Sequence, residues 1–216
     1  MVIKKYLHSC IVLEQNGKRL LIDPGIFSFL EEKIKPEDIG PVDTILLTHK
    51  HPDHYYPEAL KKISALRKTL IITHAEVGEL LDQEGLEWEE IKIGESKESA
   101  GFRITALEAP HGHLPIPCPH HLAYLVNEKI LLPGDSYSVV GLDACEILTL
   151  PIAGPWSRLS DGIDFAKKLR PRIVIPIHDV IIKDFMLERM YTMCRLALEG
   201  EGIDFHPLDL GESCEI

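Results

Sequence analysis

Short apolar runs broken by turn residues set the rhythm of the chain. Ile3–Leu7, Cys10–Glu14 and Arg19–Ile22 predict three strands. The last two are joined at Asn16-Gly17, whose residue types accept the positive φ that a tight hairpin demands. Asp23-Pro24-Gly25 then interrupts the sheet, and Thr44–Thr48 (TILLT) reads as a buried strand. Pro57–Arg67 predicts a helix, with Pro in the first turn and Leu60, Ile63 and Leu66 on one face. Leu70–Thr73 follows as a strand and Ala75–Leu81 as a short helix.

The second half continues the alternation. Phe102–Leu107, Leu122–Val126, Ile130–Leu132, Ile147–Leu150 and Ile173–Ile177 predict strands, and Ser160–Leu169 and Lys183–Leu198 predict helices. Strands interleaved with helices favour an α/β class over an all-β one. No internal repeat, low-complexity tract or long linker divides the chain, so residues 1–216 are expected to form a single domain.

Composition narrows the function classes. The 216 residues are 45% hydrophobic, enough for a sizeable core. The 34 acidic side chains exceed the 23 basic ones, giving a net charge of -11. That charge argues against a protein that blankets nucleic acid phosphates, which needs a basic face. A small anion in a pocket remains compatible where bound metal ions supply positive charge. No stretch reaches the roughly 18 apolar residues of a spanning helix, and the start has no secretory-signal pattern. No membrane role is therefore expected. The five cysteines include no CxxC pair and suit reduced thiols in a cytoplasmic protein.

The informative residue is histidine, with 11 copies, several of them clustered. Thr48-His49-Lys50-His51-Pro52-Asp53-His54 puts three imidazoles and a carboxylate between an apolar strand and a Pro-started helix. These are the donors that zinc and similar divalent metals prefer. His111, Asp135 and His178 each lie just beyond the end of an apolar run, the edge at which α/β sheets assemble sites. Four loops offering metal donors at one expected edge predict a dinuclear site.

The H-x-H-x-D-H motif, complete as His49, His51, Asp53 and His54, resembles that of the metallo-β-lactamase superfamily. Pro110-His111-Gly112, Gly134-Asp135-Ser136 and Pro176-Ile177-His178-Asp179 follow in the family's order. His8-Ser9-Cys10, Leu21-Ile22-Asp23-Pro24 and Leu150-Pro151-Ile152-Ala153-Gly154 make it most similar to the metal-dependent hydrolases that include L-ascorbate-6-phosphate lactonase. The resemblance spans essentially the whole chain and implies an αββα four-layer sandwich with metals at one edge of the two sheets. It also implies that His49, His51 and His111 bind one ion, Asp53, His54 and His178 the other, and Asp135 both. His113, two residues on, is the other candidate for the third ligand. Ser136 stands where the family more often has Thr, and both carry a hydroxyl.

The reading is a metal-dependent hydrolase with two divalent ions, zinc by expectation and manganese or iron as other candidates. A metal-bound hydroxide, oriented by the catalytic Asp53, would attack a small ester, lactone or phosphoester. No G-x-S-x-G elbow is present, which disfavours covalent acyl chemistry. His8, His113, Trp156 and Arg158 are the candidate substrate contacts, Arg158 for an anionic group. Asp23 reads either as an orienter of a ligand histidine or as a turn residue. His74, His120, His121 and His206 lie off the ligand pattern and read as structural or solvated. Two rivals are a non-hydrolytic binding protein on the same fold and a redox di-iron enzyme. Flavodiiron relatives carry a carboxylate at the position of His51, which ranks the redox reading low.

Overall fold

Alternating side chains divide the strands between two neighbourhoods, and the division defines the layers. The computed structural model describes all 216 residues, Met1–Ile216. Its first half runs β1 (Val2–Lys5), β2 (Ile11–Gln15), β3 (Lys18–Ile22), β4 (Thr44–Leu46), α1 (Pro57–Leu66), β5 (Leu70–Thr73), α2 (Ala75–Gln83) and β6 (Trp88–Glu90). The chain continues with β7 (Ser96–Ser99), β8 (Phe102–Glu108), β9 (Leu122–Val126), β10 (Ile130–Leu132) and β11 (Ile147–Pro151). It ends with α3 (Leu159–Leu169), β12 (Ile173–Ile177), α4 (Asp184–Glu199), β13 (Asp204–Phe205) and β14 (Ser213–Glu215). One sheet has the order β14-β1-β2-β3-β4-β5-β6 and the other β13-β12-β11-β10-β9-β8-β7.

Leu20 and Ile22 of β3, Phe102, Ile104 and Ala106 of β8, and Ile173, Ile175 and Ile177 of β12 share one buried cluster between the sheets. The intervening residues turn the other way, as a period of two requires. Leu21 joins Ala59, Leu60 and Ile63 of α1 and Val77 and Leu81 of α2. Val174 joins Phe165 and Leu169 of α3 and Cys194 and Leu198 of α4. The result is the four-layer α/β/β/α sandwich. No helix is long and apolar enough to cross a membrane.

Strand direction decides which loops meet. In the first sheet β1 and β2 are antiparallel, β2 and β3 are antiparallel, and β3 and β4 are parallel. The C-terminal ends of β1, β3 and β4 therefore share one edge. In the second sheet β8 and β10 both run antiparallel to β9, while β10, β11 and β12 are parallel. The C-terminal ends of β8, β10, β11 and β12 likewise share an edge, together with the start of β9.

Two expected strands end early, and both ends belong to that edge. The run Thr44–Thr48 gives up its ladder after Leu46, because the Thr48 amide donates instead to Asp23 Oδ1 at 2.8 Å. The run Ile3–Leu7 stops at Lys5, where a tight loop closed by Tyr6 N–H to Cys10 O (2.9 Å) carries His8. The hairpin at Asn16-Gly17 forms with both φ values positive, 52° and 73°.

Candidate metal centre

Six of the strand ends just described deliver polar side chains to the seam between the sheets. The loop after β4 brings His49, His51, Asp53 and His54, that after β8 brings His111, that after β10 Asp135, and that after β12 His178. The loop after β1 adds His8 and that after β3 adds Asp23. His8, Asp23, His49, His54, His111, Asp135 and His178 are all buried. So much buried polarity is costly unless it is paired or holds an ion.

The donors fall into two groups, each with its ligand atoms within 4.8 Å of one another: His49, His51, His111 and Asp135, and His8, Asp53, His54 and His178. In the first, His49 Nε2 and His111 Nε2 lie 3.0 and 3.2 Å from His51 Nδ1. In the second, His178 Nε2 and His54 Nε2 are 3.0 Å apart, and Asp135 Oδ1 is 2.8 Å from His54 Nε2 and 2.9 Å from His178 Nε2. Asp135 reaches both groups, its Oδ2 lying 3.4 Å from His111 Nε2. All seven sequence-predicted ligands are therefore brought together.

The outward nitrogens fix which atoms face inward. His54 Nδ1 donates to Asp23 Oδ2 at 2.8 Å and His111 Nδ1 donates to the Gly112 carbonyl at 2.6 Å, so each turns its Nε2 toward the group. Thr48 Oγ1 donates to Asp23 Oδ2 at 2.7 Å and lies 3.0 Å from His49 Nδ1. Asp23 thus orients the His54 ring directly and, through Thr48, contacts the His49 side, with a left-handed φ of 44°. Gly25, two residues on, allows the Asp23 loop to lie on the ligand loop; a Cβ there would fall 1.8 Å from the Asp53 carbonyl oxygen.

Donor chemistry fits divalent ions. Burial, followed by the neighbouring His54, holds His49 well below the ordinary imidazole range, and burial with His111 lowers His51. Burial alone would raise Asp135 and Asp53. The imidazoles outweigh it: His178 and His54 keep Asp135 ionised, and His8 with His54 does so for Asp53. For His54 burial is likewise overcome, by Asp135 and Asp23, and its pKa rises. Ring nitrogens and ionised carboxylates converging on one small space are a donor set that a divalent cation fits, binding it with release of any proton the rings carry. Asp135 Oδ1 is buried and has no donor outside the candidate ligand set, facing only the ring nitrogens of His54 and His178.

A family model described as the beta-lactamase superfamily domain matches residues 2–178. The chain belongs to the beta-lactamase superfamily. A Mycobacterium tuberculosis protein is 29% identical over 195 residues, covering 84% of this chain and 85% of its own. A UPF0173 metal-dependent hydrolase of Thermoplasma acidophilum is 31% identical over 182 residues, covering 79% and 80%. Among solved structures, a metallo hydrolase of Ignicoccus hospitalis matches 100% of both chains with a TM-score of 0.75 at 21% identity. This superfamily member is a metal-dependent hydrolase.

The remaining predicted contacts fall in different places. His8 is fully buried and not open to a substrate; its Nε2 lies 3.1 Å from Asp53 Oδ2, and its ring stacks 4.0 Å from that of His178. His8 and His178 both have left-handed φ, 60° and 64°, strain of the kind that clusters at functional sites. Trp156 is half-buried, and its indole donates to Asp135 Oδ2 at 2.7 Å. His113 and Arg158 are exposed and lie outside both donor groups.

His121 has more to do than its off-pattern position suggests. It is buried, donates from Nδ1 to Ala109 O at 2.6 Å, and accepts the Asp135 amide on Nε2 at 3.0 Å. The available signal was strand direction: His121 precedes a strand antiparallel to its neighbours, so it starts where they end. Lys5, paired with Asp179 in the interior, and Tyr191, donating to Asp179 at 2.6 Å, brace the residue after His178.

Proposed function

We propose that this chain is a dinuclear metal hydrolase, with zinc, acting on a small ester, lactone or phosphoester. The observation that carries it is the Asp135 carboxylate, which places Oδ1 beside His54 and His178 and turns Oδ2 toward His111. His49, His51 and His111 would hold one ion, Asp53, His54 and His178 the other, and Asp135 both. Two divalent ions so held supply Lewis acidity and lower the pKa of water toward neutrality.

The chain's own residues do the positioning. Asp23 and Thr48 fix the imidazoles, and His121 fixes the Asp135 backbone. Asp53 is the more open of the two carboxylates, with 20% of its side chain exposed against 4% for Asp135. It is therefore the one placed to accept a hydrogen bond from an attacking water and aim it, while His8 holds its Oδ2. Arg158 and His113, exposed two residues beyond Trp156 and His111, are the non-ligand groups available to a substrate's anionic part. An imidazole at His51, rather than a carboxylate, supports hydrolysis over di-iron redox work.

Elemental analysis of protein prepared without chelator is expected to give close to two ions per chain. The loaded protein should turn over at least one member of a panel of small esters, lactones and phosphoesters. Asp135→Ala should abolish that turnover, while the exposed Asp143→Ala should leave it intact. A saturated stoichiometry of one ion, or equal losses in the two folded variants, would refute the shared-carboxylate site. Cleavage of long single-stranded RNA with no small ester hydrolysed would refute the substrate class.

A further inference from the structure

Asp135 is gripped from outside the metal groups as well as from within. The loop after β11 carries Trp156 over the site, and the indole N–H donates to Asp135 Oδ2 at 2.7 Å. That ring has little freedom. It packs against Tyr137 at 4.8 Å, and the Tyr137 hydroxyl donates to the Pro151 carbonyl at 2.7 Å. It also lies against the backbone of Gly112, next to the proposed ligand His111; a Cβ there would stand 2.1 Å from the indole. Gly154 leaves room at the pyrrole edge, where a Cβ would meet Nε1 at 3.0 Å. Two glycines and a tyrosine thus fix one indole so that its single donor meets one carboxylate oxygen.

The consequence follows from counting lone pairs. A carboxylate offers about four acceptor sites on two oxygens. The indole takes one on Oδ2 and sets the plane of the group. Oδ1, buried and without a donor outside the candidate ligands, then faces His54 and His178, and what is left of Oδ2 faces His111. We propose that Trp156 is a positioning residue for the metal pair, holding the Asp135 carboxylate in the plane that lets it serve both ions. This assigns the indole to the metal centre rather than to substrate, and it rests on the two-ion reading above.

The chain has two tryptophans, Trp88 and Trp156, so Trp88→Phe leaves Trp156 as the only indole emitter. In that background, with the site intact, addition of Zn2+, which does not quench by itself, is expected to shift or change the intensity of Trp156 emission. Trp156→Phe keeps the ring stack and deletes the donor. Chelator competition should show zinc bound about 10–100-fold more weakly, the usual cost of losing a partner that orients a ligand. Circular dichroism and thermal melting of the metal-free protein check that the variant folds. Wild-type zinc affinity in Trp156→Phe would overturn the proposal. So would a loss confined to Trp156→Ala, which would make the indole mere packing, or an emission indifferent to zinc. The stoichiometry of the wild-type protein is read in the same titration: one ion rather than two would fail the dinuclear reading, while the affinity ratio still judges Trp156.

Discussion

At the scale of single residues, His111 and His113 show how little sequence distance says about chemistry. The first is buried with Nε2 3.2 Å from His51 Nδ1, and the second is exposed beyond both donor groups. His111→Ala is expected to lower the metal content of the isolated protein, and His113→Ala to leave it unchanged; elemental analysis of the pair decides, and the reverse pattern would shift the ligand by two positions. The seven proposed ligands, which the fold brings together, were legible in the sequence because they sit in a dense motif and directly after apolar runs. Their supporting residues were less so. Asp23 looked equally like a turn residue, and His121 looked detached, because the partner of each lies in another strand's loop. A hydrogen bond between residues 14 or 25 positions apart leaves no local pattern.

At the scale of elements, the buried strands and all four helices announced themselves by period and apolar content, with ends displaced by one to two residues. The four strands that went unread, β6, β7, β13 and β14, lie at or near the sheet margins. Their sequences, such as Ser96-Lys97-Glu98-Ser99, are short and charged, as margins exposed to solvent tend to be. Apolar alternation cannot mark strands of two to four residues that hold at most one apolar side chain each, such as Phe205 of β13 and Trp88 of β6. Loops, by contrast, are controlled by contact. Gly25 has an ordinary φ of -78°, so its requirement is space alone. Gly25→Ala would drive a methyl into the Asp53 carbonyl and is expected to cost about 1–3 kcal/mol, as overpacking does, together with metal content. Urea unfolding measures the first. Gly200→Ala, whose nearest neighbour would be 3.9 Å away, is the comparator and should cost far less.

For the whole molecule, the two sheets are assembled from separate stretches of chain, β1–β6 with β14 and β7–β13. Each proposed ion draws donors from both: His49 and His51 with His111, and Asp53 and His54 with His178. The net charge of -11 surrounds a seam where positive charge would be concentrated, which favours a small anion over an extended one. His51 and His111 are 60 residues apart, and His54 and His178 are 124. An ion tying such distant points closes two long loops and so restricts the unfolded chain much as a pair of covalent staples would. The reactive centre would then double as a fastening. A chelator should act on this protein as a denaturant, lowering its melting temperature. Stability should climb with the logarithm of free zinc, by about 2.7 kcal/mol at a hundredfold excess over the dissociation constant. Calorimetry across a zinc series reads this directly, and a melting temperature indifferent to metal would mean that the halves hold together without their clasp.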